Sequence, residues 1–151
     1  MEIEGVAITP KGHAIVTFHG HPLVRSAHPT TIEVTTEDHL TLKGDCILGV
    51  GASSGCAQLD SGVKERLRTK GSRVTIRLAV GSHTFEVKAK GDPRLELSHP
   101  RDLVIRRSDF ISDRTLAVHA DAAAKDIPRE MVMLLRDPGT VGRLEIEVAQ
   151  G

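Results

Sequence analysis

Alternation of apolar and polar residues recurs from one end of the chain to the other, and it limits the fold more than any single motif does. It runs through HAIVTFHG (13–20), TTIEVTT (30–36), CILGVGA (46–52), SRVTIRLAV (72–80), HTFEVKAKG (83–91), LELSH (95–99), RTLAVHA (114–120) and RLEIEVAQ (143–150). A period of two sends successive side chains to opposite faces, so each segment reads as a strand with one face to bury. The clearest pair spans 72–91. Val74, Ile76, Leu78 and Val80 share a face, Gly81-Ser82 supplies a II′-type turn, and Phe85 and Val87 fall on the matching face.

Two stretches break the alternation. Asp60 to Lys70 offers an acid or serine cap, Val63 and Leu67 on one helical face, and Gly71 as a stop. Asp121 to Arg136 combines an alanine run with the apolar residues Met131, Val132, Leu134 and Leu135, but Pro128 interrupts it. Proline lacks a donor and clashes with the preceding turn, which predicts a short helix to about Asp126 and a second one carrying Pro128 in its first turn. No repeat, low-complexity run or linker divides residues 1–151. The expected architecture is therefore a single mainly β domain: an antiparallel β-sandwich or partly open barrel with two short helical segments at about 60–70 and 121–136.

With three Phe, no Trp and no Tyr, the core must be built from Val, Ile, Leu and Ala, and only Phe18, Phe85 and Phe110 can serve as stacking platforms. Lys plus Arg and Asp plus Glu both number 20, so no global field draws the chain to duplex nucleic acid or an anionic membrane. No apolar run approaches the roughly 18 residues of a membrane-spanning helix. The segment MEIEGVAITPKG is too polar for a secretory signal, which predicts a cytoplasmic protein. Cys46 and Cys56 are then expected as reduced thiols, a bridge between them being the alternative.

Potential chemistry gathers in residues 19–51. His19, His21 and His28 are spaced H-x-H-x6-H, and on a strand His19 and His21 share a face. With Glu33 or Asp38 as an oxygen ligand, His19, His21 and His28 can hold a divalent metal. Alternatively, His21 and His28 use ring nitrogens to hold loop backbone while His19 is a solvated strand end. Thr31, Glu33 and Thr35 share the polar face of their strand, which reads as wet strand surface or, with Asp45 and Cys46, as part of a pocket. Cys46 is a nucleophile only if a base such as His21 or His28 adjoins it; otherwise it packs as a small hydrophobe.

A second polar segment holds Arg101, Arg106, Arg107 and Arg114 among Asp102, Ser108, Asp109 and Asp113. Arginine forks match phosphate or carboxylate, whereas mixed charge of this kind also forms salt-bridge lattices on solvated faces. Lys125 and Arg129 add cationic groups nearby.

The runs TTIEVTTEDHLTLKGDCILGV and HPRDLVIRRSDFISDRTLAVHADAAAKDIPRE resemble the archaeal family called domain of unknown function 371, over nearly the whole chain. The most specific pieces are Gly20-His21-Pro22, His28, the T-x-E-x-T strand, Gly44-Asp45-Cys46-Ile47, Ile105-Arg106-Arg107-Ser108 and Arg114 to Ala124, with His19 outside them. The resemblance implies a mainly β, sandwich-like fold in an archaeal cytoplasmic protein, and no activity.

Three functions follow from the residues. The first is a small-ligand-binding domain, catalytic or not, whose pocket of His21, His28, Thr31, Glu33, Thr35, Asp45, Arg106 and Arg107 takes a small anionic molecule bearing phosphate or carboxylate. It requires the two polar segments to converge. The second is a metal-dependent hydrolase using the three histidines, and the third an RNA- or protein-binding module using the arginines. Oligomeric state is not legible.

Overall fold

The alternating segments pair into two four-stranded sheets. The structure is a computed structural model that describes residues 2–3, 6–7, 12–40 and 43–149. A two-residue pair, β1 (Glu2–Ile3) and β2 (Val6–Ala7), precedes β3 (His13–His19), β4 (Thr31–Thr35) and β5 (Ile47–Gly49). A 3-10 turn at Cys56–Gln58 leads to α1 (Ser61–Leu67), then to the hairpin of β6 (Arg73–Val80) and β7 (His83–Lys90). After β8 (Asp102–Arg106) and β9 (Thr115–Ala117) come a 3-10 turn at Ala124–Asp126, α2 (Arg129–Leu135) and β10 (Val141–Ala149). Gln150, the end of the expected last strand, lies outside the described residues. The fold is mainly β, and among the described residues no helix is long and apolar enough to cross a membrane.

One sheet has the order β3, β10, β6, β7 and is antiparallel throughout. The other has the order β5, β4, β8, β9 and is mixed: β4 and β8 are antiparallel, while β5 and β9 run parallel to β4 and β8. Their inner faces share one apolar core, in which Ile32, Leu48 and Ile105 meet Ile76, Leu78 and Leu144. Single bridges at His19–Val50 and Lys90–Val118 tie the sheets at both edges, so the sandwich is nearly a barrel. The β6–β7 hairpin forms as expected, with Val80 opposite His83 and Gly81 at φ +59. Asp60 caps α1 by accepting from Gly62 N at 2.9 Å, and Pro128 occupies the N-cap position of α2, just before the first turn expected to hold it, and splits the second helical stretch.

Three sequence expectations change. LELSH is not a strand: Leu95 and Leu97 are buried, but Leu97 sits at φ +51, which breaks extended backbone. DLVIR, hidden among charges, is β8, with Leu103, Val104 and Ile105 buried.

The third correction is that the chain does contain a repeat. Each half runs strand, loop, strand, short parallel strand, 3-10 turn, helix, long strand, so that β3 to β6 correspond to β7 to β10, and both sheet orders are unchanged when the halves are exchanged. Hydrogen bonds repeat in kind. Arg68 Nε donates to Leu95 O at 2.8 Å and Arg136 Nε to Val24 O at 3.1 Å; Ala57 N donates to His99 O at 2.9 Å and Lys125 N to His28 O at 3.1 Å. Each half therefore closes the loops of the other. Left-handed backbone repeats too, at Ser26 (φ 49) with Leu97 (φ 51) and Gly51 (φ 59) with His119 (φ 54).

Packing, by contrast, is not duplicated. The ring of Phe18, fully buried, lies against the backbone of Gly49 and Gly142, whereas the places that exchanging the halves makes equivalent to these three hold Ala89, Ala117 and Val74. Volume is exchanged between facing positions, which close-packed cores tolerate.

Gly20 and Gly91 occupy equivalent turns where the chain passes the end of the opposite half's helix. A Cβ on Gly20 runs into Leu135 O and Asp137 O, and one on Gly91 into Leu67 O and Ser72 Oγ. Gly20→Ala and Gly91→Ala are each expected to lower unfolding free energy by about 2 kcal/mol, the range of overpacking, in urea denaturation. A loss at only one of them means that the turns are not equivalent.

Candidate functional site

Buried polar groups single out one face of the molecule. Among the described residues they are Ser26, Thr31, Glu33, Thr35, Ser72 and Thr115. The two serines bond nearby carbonyls, Ser26 Oγ to Ala124 O at 2.7 Å and Ser72 Oγ to Leu67 O at 3.5 Å. The other four lie on the mixed sheet. Ile32 and Val34 of β4 enter the core, so Thr31, Glu33 and Thr35 point the other way, opposite Arg106, Val104 and Asp102 of β8. The reading of this strand face as wet surface is wrong: neighbouring side chains bury it.

Two grooves meet at Glu33. One, of about 270 Å³, is lined by His28, Thr30, Thr31, Glu33, Cys46, Val104, Arg106, Ser108, Phe110 and Arg114. The other, of about 220 Å³, continues past Glu33 to Thr35, Glu37, His39, Arg101 and Asp102. A larger hollow of about 640 Å³ lies on the outer face of the antiparallel sheet beside Arg77 and Lys88. There Arg77 pairs with Glu86 and Glu145, and Lys88 with Glu86, all on partly or fully exposed side chains. It is a solvated ion-pair surface, with none of the buried polar residues in its lining.

The electrostatics centre on Glu33, which is 7% exposed. Its Oε1 accepts from Cys46 Sγ at 3.4 Å, and its Oε2 lies 3.9 Å from Arg114 Nη1, which bonds Asp102 Oδ2 at 3.0 Å. Burial, and next the Asp102 charge, raises the Glu33 carboxyl above its ordinary value despite Arg114, Cys46 and Arg106. Burial, then the Glu33 charge, pushes the Cys46 thiol up to about 12. Cys46 is thus a protonated donor, not an activated nucleophile. Cys46 and Cys56 are both free.

Arg106 is held differently from its neighbours. Arg101 pairs with Glu37 at 3.1 Å, Arg107 with Asp126 at 3.8 Å and Arg114 with Asp102 at 3.0 Å. Arg106 instead donates from Nε to Thr115 Oγ1 at 2.9 Å and from Nη2 to Ser112 Oγ at 3.2 Å, with its guanidinium 4.9 Å from the Phe110 ring centre. Among the described residues no carboxylate forms an ion pair with it.

The histidines are explained by the three His-Pro steps of the chain. His21 Nδ1 accepts from Leu23 N at 3.1 Å; His28 Nδ1 from Thr30 N at 3.1 Å and Thr31 N at 3.2 Å; His99 Nδ1 from Arg101 N at 3.1 Å and Asp102 N at 2.8 Å. In the last two cases the ring holds the first residue of β4 or β8. A backbone N–H only donates, so Nδ1 is the acceptor and the proton of each neutral ring sits on Nε2. His19 is exposed at the end of β3 beside Gly51. The expected metal set of His19, His21 and His28 is therefore corrected: the His21 and His28 rings serve separate turns, and no group of three His, Cys, Asp or Glu among the described residues can hold a metal ion.

Of the expected ligand-binding residues, His28, Thr31, Glu33 and Arg106 line one groove, and Thr35 the adjoining one. His21, Asp45 and Arg107 line neither. His21 serves its turn, the Asp45 carbonyl accepts from Ala27 N and His28 N, and Arg107 turns to Asp126. Arg129 is a backbone clamp, donating to the carbonyls of Arg25, Ser26, Ala124, Lys125 and Ile127. The pocket expected from sequence leaves out Arg114, Thr115, Thr30 and Phe110, although Arg114 and Phe110 stand out there as an anion-matching arginine and a stacking ring. Their signal lay in the register of β8, which was not read as a strand.

Two outcomes follow. At pH 8 the Cys46 thiolate is scarcer by two to three orders of magnitude than that of an ordinary thiol, so alkylation of Cys46 is expected to be correspondingly slow. Glu33→Gln removes a charge that raises this thiol and is expected to speed the labelling; an unchanged rate counts against the contact. The same variant probes linkage. Folded Glu33 keeps its proton to higher pH than it does in the unfolded chain, so the folded state binds more protons just above the ordinary glutamate range and loses stability as pH rises through it. Glu33→Gln is expected to raise the denaturation midpoint at pH 7, with a gain that shrinks at pH 4.

Similarity to other proteins matches the extent of this fold. An uncharacterized protein of Methanocaldococcus jannaschii is 37% identical over 123 residues, covering 82% of this chain and 90% of that protein. The family described as Domain of unknown function (DUF371) matches residues 16–149, from within β3 to the end of β10, and the chain belongs to it.

Proposed function

We propose that the groove beside β8 binds a small anionic molecule through Arg106, the ligand being a phosphate- or carboxylate-bearing compound. The observation that carries this reading is the state of Arg106. Its guanidinium is half-buried and fixed by two hydroxyls and a phenyl ring, with no carboxylate pairing it among the described residues. A partly desolvated cation that feels Glu33 only through space and bonds no carboxylate is incompletely compensated, and an anion completes it with charge-assisted bonds. The Thr30, Thr31 and Ser108 side chains and His28, whose ring proton sits on Nε2, also line this groove. Concave sites with a few convergent polar groups are where small molecules bind.

Neither alternative has comparable support. A metal-dependent hydrolase lacks its ligand set, since His21 and His28 serve separate turns and His19 is an exposed strand end. An RNA- or protein-binding module needs an uncompensated basic face, yet Arg101, Arg107 and Arg114 are each paired with a carboxylate. We place the protein in the cytoplasm, where two unpaired thiols persist.

Isothermal titration with inorganic phosphate and with a dicarboxylate tests the reading. Binding is expected to weaken at least tenfold in Arg106→Ala, as loss of charge-assisted bonds predicts, and to be unchanged in Arg107→Ala, whose side chain turns to Asp126. Equal affinity of Arg106→Ala and the parent chain for both anions would sink it.

A further inference from the structure

Phe110 is the one aromatic side chain this chain leaves in solvent. Phe18 is fully buried and Phe85 packs against the core, but Phe110 is 59% exposed. A chain with three aromatic residues gains nothing for its core from a ring placed there. The ring is not loosely placed. Phe110 N donates to Ser108 Oγ at 3.3 Å, and the Arg106 guanidinium lies 4.9 Å from the ring centre. A cation against one face of a phenyl ring is an attractive contact that orients both groups. The rest of the ring surface is open, at the mouth of the groove that holds Arg106.

The repeat sharpens the point. The place of Phe110 in the second half is filled by His39 in the first, and the place of Arg106 by Thr35. Fold symmetry therefore does not require an aromatic ring or a guanidinium at either position. They occur together, on one side only, in a groove of about 270 Å³.

We infer that the anion taken by this groove belongs to a nucleotide, with the base stacked on Phe110 and the phosphate on Arg106. This rests on the anion-binding reading above and adds the ligand class. An exposed ring accepts any planar base, because every base has a π-face. Arginine beside it meets a phosphate with a planar fork of donors. Ser108, Thr30 and Thr31 set hydroxyls along the groove between solvent and the buried Glu33. The groove suits a single nucleotide unit, either free or at the phosphorylated end of a strand, since one exposed ring stacks one base.

Titration of the full chain with adenosine monophosphate, inorganic phosphate and a short single strand carrying a terminal phosphate tests the inference. Adenosine monophosphate is expected to bind roughly tenfold or more tightly than phosphate, as base–aromatic stacking predicts. In Phe110→Ala the advantage of nucleotide over phosphate is expected to vanish, and in Phe110→Trp, which restores a ring beside Arg106, it is expected to return. Because Phe110 is exposed, neither variant disturbs the core. The strand binding more tightly than the free nucleotide identifies a strand end as the source, and the reverse identifies a free nucleotide. Equal affinity for nucleotide and phosphate, or a nucleotide affinity unmoved by Phe110→Ala, overturns the stacking inference and leaves the anion groove standing. Loss of all binding, phosphate included, in the parent chain overturns both.

Discussion

The antiparallel pairing of β4 with β8 is the constraint on which the rest of the molecule depends. It sets Thr31 against Arg106, Glu33 against Val104 and Thr35 against Asp102. In that register Ile32, Val34, Leu103 and Ile105 all enter the core. A slip of one residue exchanges faces along a strand, which here would drive Glu33 or Arg106 into an apolar interior. The register that fills the core is thus also the one that gathers acid, hydroxyls and arginines on the opposite face. It also brings together two polar segments that lie far apart in sequence.

Backbone in this fold is duplicated and side-chain chemistry is not. Glu33 corresponds to Val104, Thr31 to Asp102, Thr35 to Arg106, and Cys46 to Arg114 in the two halves. The two grooves that meet at Glu33 are the two copies of one architectural feature. In one copy the charges are satisfied internally, with Glu37 bonded to Arg101 and Asp102 to Arg114. In the other, Arg106 is left to hydroxyls and a ring. The burial that raises the Glu33 carboxyl destabilises the folded chain at neutral pH. Costs of this kind concentrate where a protein uses a group for something other than folding.

Much of the fold was legible because its signals are local. Gly81-Ser82 between two alternating runs specifies a hairpin, Asp60 marks a helix start, and Pro128 divides a helical stretch wherever it occurs. What was not legible depends on partners. DLVIR holds three adjacent apolar residues bracketed by charges, a pattern that says strand only once β4 and β9 cover its two edges. LELSH alternates as a strand should, yet its leucines reach the core from a loop, with Leu97 in left-handed backbone. The convergence of Glu33 with Arg106 and Arg114 is a consequence of register, which no spacing in the sequence expresses.

The repeat escaped notice for a related reason, and it explains why the histidines misled. In the loop before β4 and β8 the halves agree at Gly20 and Gly91, Pro22 and Pro93, His28 and His99, and Pro29 and Pro100. Every one of these is a backbone device. The glycines pass beneath the end of a helix, and the histidines accept the first backbone N–H of a strand at Nδ1. Residues that recur in both halves therefore hold the chain in its path, and residues at equivalent places that differ are free to carry chemistry. By that criterion the His28-Pro29 step belongs to the scaffold; His21 gives way to Asp92 in the second half, yet both accept the backbone N–H two residues on, so it too holds its turn. Glu33, Arg106, Phe110 and Arg114, each present in one half only, belong to the site.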